Sequence, residues 1–209
     1  LVHALDLPPA SRPTHVVFAV PPDIHPARTY DFGARLYPAT GTYVFNPKYY
    51  ATLNRWHGDE PESIDAFFAA ESTFRAVVDH EVGHGIAYVL AEQSGQLDLY
   101  LSHKDPIRVI GVKIILEGLG TYFERLLIHD REPRGLACMP TSWDDPNWYW
   151  RIGEIIYDGG AWIVTPIIDA HGQRGIEYIL AHPLLIPDGD AYDAAVRYQA
   201  RALVDLNGD

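Results

Sequence analysis

From 72 to 90 the chain reads STFRAVVDHEVGHGIAYVL, an unbroken run without proline. Phe74, Val77, Val78, Val82, Ile86, Tyr88 and Val89 recur mostly at three- and four-residue intervals, which predicts one buried helix. That period also dictates where the polar residues stand. His80 and His84 are four apart, so their imidazoles share one helix face, and Glu81 stands beside the first. An H-E-x-x-H run on a helix has the geometry of a catalytic zinc site. Two neutral imidazoles suit a borderline cation and leave room for a third protein ligand and one open position. Glu81 would take the proton from a water held by the metal and pass it to the leaving group, which is metal-assisted hydrolysis. The alternative is a pair of ordinary surface or core histidines. Gly83 and Gly85 each cost the helix about 1 kcal/mol relative to alanine, so they are either merely tolerated or mark close approach of a neighbouring backbone. Gly95 is the expected stop, and Pro61 to Ala70 reads as a separate or continuous helix after the turn-like segment from His57 to Glu60.

The third ligand defines the kind of site. Positions 87 and 90 are Ala87 and Leu90, so the glycine and histidine that would extend the motif to the metzincin pattern are absent. The best source of a ligand is Pro106 to His129, a mainly apolar helix with Asp105 as N-cap and Pro106 at its first position. Glu117 sits at its centre among Ile114, Ile115, Leu116 and Leu119. A carboxylate so placed requires a metal or a basic partner. Glu124, Asp98, Asp105 and His103 are the other candidates, and Glu124 also suits a supporting contact to a ligating imidazole or a salt bridge at the helix end.

Together, H-E-x-x-H and the later segment Glu117 to Glu124, E-G-L-G-T-Y-F-E, resemble the gluzincin metallopeptidases. The 33-residue separation of His84 and Glu117 is longer than in the aminopeptidase branch of that group. The resemblance implies that Glu117 completes a zinc site with His80 and His84, one ion per chain. It extends from about Ser72 to Gly172. Within that span, Glu154 to Val164 is similar to the Y-x-x-G helix start of the aminopeptidase branch, although Gly159 stands where that branch has lysine. Carried over, Tyr157 would donate a hydrogen bond to the developing oxyanion. His171 is the alternative donor, and simple packing is the bland reading of Tyr157.

At 209 residues, 47% hydrophobic and 21% charged, the chain is sized for one core, and 1–209 is expected to be a single domain. No apolar run is long enough to span a membrane, and the first residues lack a signal-peptide pattern. The start without methionine suggests processing, so a removed signal or propeptide stays open. The single cysteine, Cys138, permits no internal disulfide and leaves the compartment undetermined. A net charge of −12 without a basic cluster argues against nucleic acid as a partner.

Residues 1–60 look β-rich, with strands at His15 to Val20 and Thr42 to Phe45 on either side of the Ala39-Thr40-Gly41 turn, and 61–209 look mainly helical. The expected fold is α+β and zincin-like. The resemblance implies an open edge strand beside the motif helix that pairs with an extended peptide, and Thr42 to Asn46 is the candidate, against an interior strand. Residues 143–150, rich in tryptophan and proline, suggest an aromatic loop that is either core or a wall of the cleft. The expected function is a zinc-dependent metallopeptidase acting on a peptide or protein. A zinc amidase or other small-molecule hydrolase on the same site, and a non-catalytic binding domain, are the alternatives.

Overall fold

The computed structural model describes residues 15–20, 34–37, 40–46, 71–93, 95, 106–128 and 139–208. Three short strands form a sheet in the order β1-β3-β2, with β1 at His15–Phe18, β2 at Ala34–Tyr37 and β3 at Thr42–Phe45. β1 runs parallel to β3, pairing Val17 with Val44, and β2 runs antiparallel to it, pairing Leu36 with Tyr43. The central strand is the buried one, with Tyr43, Val44 and Phe45 all buried, whereas Val16, Val17 and Phe18 of β1 are exposed. β2 had no clear sequence signal. Its four residues, ARLY, are too few to establish an alternation, and pairing with β3 makes them a strand.

Helix α1, Glu71–Gln93, is the motif helix, and it extends a little beyond the expected 72–90. It stops at Gly95, whose φ of +69° suits a residue without a Cβ and whose N–H bonds back to the Glu92 carbonyl. Helix α2 is Pro106–Ile128. Val112, Ile114, Ile115, Leu119, Tyr122 and Phe123 are buried, because α1 lies along one side of α2 and the later helices along another. Each fully buried aliphatic or aromatic side chain contributes about 1.5–3 kcal/mol relative to exposure.

The rest is a helical run. Short helices α3, Asn147–Trp150, and α4, Ile152–Glu154, lead into a π-turn at Ile155–Gly159, then α5 at Gly160–His171, α6 at Gln173–Ala181 and α7 at Ala191–Asn207. Pro166 inside α5 has no N–H to offer the Trp162 carbonyl four residues back. Nε2 of Gln199, on α7, donates to that carbonyl instead at 2.9 Å, so the interior proline also marks where α7 docks. Asp190 caps α7 by accepting from the Asp193 N–H.

This is a mainly helical α+β architecture with a small N-terminal sheet, and among the described residues no helix is long and apolar enough to cross a membrane. The expected helix at 61–70, the turn at 57–60, and Asp98, His103, Asp105 and Cys138 lie outside the described residues. One expectation is corrected. Thr42–Phe45 is not an open edge, since it is hydrogen-bonded on both sides and β2 is the strand that packs against α1. For the aromatic segment the packing reading holds at Trp143 and Trp148. Trp143 and Trp148 stack with centroids 4.7 Å apart, and their indole N–H groups donate to the carbonyls of Pro187 and Gly189, while Tyr149 and Trp150 remain exposed.

Candidate metal centre

Where α1 crosses α2, both helices lack side chains. A Cβ on Gly83 would come 2.8 Å from the Phe123 ring and 3.0 Å from the Cα of Gly120, so the close-approach reading of Gly83 holds. This contact brings the same turn of α1, from His80 to His84, against the face of α2 that carries Glu117. Nε2 of His80 is 3.2 Å from Oε2 of Glu117, and Nε2 of His84 is 3.4 Å from the same oxygen. The ligand atoms of His80, His84 and Glu117 all lie within 4.8 Å of one another, close enough to bind one metal ion. The two imidazoles meet edge to face, with centroids 4.8 Å apart.

The surroundings fit a cation. The opposite nitrogen of His80, Nδ1, is 3.4 Å from Oε2 of Glu124, which orients the ring and leaves Nε2 pointing into the cluster. Burial opposes charge on His80, but Glu117 and Glu124 outweigh it and push its pKa up to about 9. Burial also opposes charge on Glu117, yet the two histidines hold its carboxyl well below the usual range. In the metal-free protein a proton on His80 therefore supplies positive charge that the cluster demands, and a metal ion would replace it.

Glu81 is buried beside the cluster. Burial raises its pKa, and His84, His80 and, more weakly, Arg35 of β2 work against that rise. Tyr43 of β3 faces the same carboxylate. Its hydroxyl is pushed up to about 12, by burial first and then by the charge of Glu81. Tyr88 is raised by burial, Glu117 and Glu81. Arg35, Tyr43 and Tyr88 were not singled out in the sequence. An arginine in a four-residue strand carries no motif, and only the packing of the sheet on α1 brings Arg35 and Tyr43 near Glu81, whereas Tyr88 stands seven residues further along α1 itself.

Tyr157 lies in the π-turn, partly exposed, with its ring centroid 5.6 Å from that of His80. His171 ends α5, with an intervening helical rise of about 20 Å at 1.5 Å per residue, so it does not share the site with Tyr157. Of the other ligand candidates, Glu124 lies behind His80 as a supporting group.

No protein-family model, curated protein or solved structure matches this chain. The fold and site together define a mainly helical α+β protein with three residues, His80, His84 and Glu117, that could hold a metal ion.

Proposed function

We propose that this chain is a zinc-dependent hydrolase of gluzincin type that cleaves peptide bonds. The observation that carries the reading is Glu81, a buried carboxylate beside a His-His-Glu cluster. A purely structural site has no use for a base next to its ligands. Two imidazoles and one carboxylate are a zinc donor set that leaves a position open. His80, His84 and Glu117 would hold a zinc ion, which would supply Lewis acidity to a water and to a substrate carbonyl. Glu81 accepts the proton of the attacking water. Its burial-raised pKa makes its carboxylate a better base, and the same group returns the proton to the leaving amine. Tyr157 donates its hydroxyl hydrogen to the carbonyl oxygen as negative charge develops there.

An extended peptide is the substrate that suits the sheet. Among the described residues β2 is an edge strand packed on α1, so main-chain pairing along Ala34–Tyr37 would lay a peptide beside the site. The test is Glu81→Gln, which keeps size and hydrogen bonding but cannot accept a proton at neutral pH. The variant should keep its zinc and lose cleavage of a peptide library by a factor on the order of 10² to 10⁴, read by mass spectrometry. Equal cleavage by both proteins would remove Glu81 as the base. Zinc-loaded wild type that cuts small amides and no peptides would favour an amidase.

A further inference from the structure

We propose that the ion pair between Arg125 and Asp158 is a positioning device that holds Tyr157 over the metal cluster; this rests on the role given to Tyr157 above. Arg125 follows Glu124 on α2. Successive helical residues point about 100° apart, so the two face different neighbours. Glu124 reaches back to His80, while Nη2 of Arg125 bonds Oδ1 of Asp158, the residue after Tyr157. One turn of α2 thus grips both a ligating imidazole and the segment that carries the tyrosine.

That segment needs holding. Ile155–Gly159 is a π-turn, closed by the Gly160 N–H bonding to the Ile155 carbonyl five residues back, and π-turns are rare and concentrate at functional sites. The additional residue lets Asp158 face α2 while Tyr157 faces His80. Glycines fix the turn against its surroundings. A Cβ on Gly160 would collide with the Ile114 carbonyl oxygen, and one on Gly159 would come 3.0 Å from the Met139 sulfur. Both partners of the ion pair are largely buried, with side chains 18% and 22% exposed. Nη1 of Arg125 is buried with no hydrogen-bond partner among the described residues. Asp158 is therefore the neutralising group for a largely buried cation that is costly to leave uncompensated.

The experiment compares wild type with Asp158→Asn and Arg125→Lys, each intended to weaken the pair without emptying the site. Proteins are labelled with 3-fluorotyrosine, and the Tyr157 fluorine resonance is assigned by its absence in Tyr157→Phe. All should retain zinc. In wild type the Tyr157 resonance should shift on zinc addition, and in both variants that shift should shrink and the line broaden. With a cleaved peptide, Asp158→Asn should lower kcat about tenfold with KM nearly unchanged, and should lose nothing further when added to Tyr157→Phe. Three results would overturn the proposal: a wild-type Tyr157 resonance indifferent to zinc, a zinc response in the variants equal to wild type, or an equal loss of kcat in the presence and absence of the Tyr157 hydroxyl. If zinc-loaded wild type cleaves no peptide but the fluorine response still depends on Asp158, the brace stands and the peptidase reading falls. Should Asp158→Asn not fold, Arg125→Lys, which keeps the charge, carries the same expectations.

Discussion

Gly120 lies against the His80 ring so closely that a Cβ there would come 2.7 Å from both Nε2 and Cε1. The absence of a side chain on α2 is thus part of what seats the His80 ring on α1. Alanine is the better helix former by about 1 kcal/mol, so an unobstructed Gly120→Ala would stabilise the protein. Here it should displace His80 and weaken zinc binding by roughly 10- to 100-fold, measured by calorimetric titration. Unaltered affinity would mean that the ring does not need this space.

Glu124→Ala removes the carboxylate behind Nδ1 of His80 while leaving His80, His84 and Glu117 in place. Zinc affinity should fall by roughly 10- to 100-fold, because the imidazole loses both its orientation and part of its basicity. A variant that lost thermal stability but bound zinc as tightly as wild type would show Glu124 to be only a salt-bridge partner.

The cluster makes opposite demands of pH with and without metal. In the metal-free protein the pKa of His80 is raised from 6.5 to about 9. Its stabilising contribution is therefore full below pH 6.5 and lost as pH rises through about 9. Glu117, held below its usual 4.5, contributes above that value and loses its contribution as pH falls through its lower folded pKa. Metal binding requires neutral His80, so protons compete with zinc. The rise in melting temperature on adding zinc to chelator-treated protein should be larger at about pH 8 than at about pH 6. Equal rises would argue against His80 as a ligand.

At the second glycine crossing, Gly118 meets Gly160, and a Cβ on Gly160 would run into the backbone of α2. Gly160→Ala should destabilise the protein by about 1–3 kcal/mol in a urea melt, despite the intrinsic helical advantage of alanine. Wild-type stability in that variant would mean that α2 and α5 are not in backbone contact.

Much of the candidate site was legible before any coordinates. The His80-Glu81-Val82-Gly83-His84 run and the helix around it follow from a 3.6-residue period, and Glu117 stood out as a carboxylate in an apolar helix. These are short-range properties. A helix closes its hydrogen bonds within four residues, so a local pattern suffices to say which side chains share a face. Thr42–Phe45 and most of residues 15–20 were equally legible as strands, but β2 and the order of the sheet were not, and Thr42–Phe45 lies at the centre of the sheet rather than at an open edge.

By itself, the sequence determined the motif helix, the second helix with its partly buried glutamate, and the class of chemistry that two histidines and two glutamates can support. Only the tertiary structure decided that one oxygen of Glu117 meets both imidazoles, that Glu124 stands behind His80, that Arg125 reaches Asp158, and that Tyr157 rather than His171 lies near the cluster. Those facts depend on how closely two helices approach and at which residues they cross. Close approach was set at Gly83, Gly120, Gly118 and Gly160, whose missing side chains have meaning only once the partner backbone is in place.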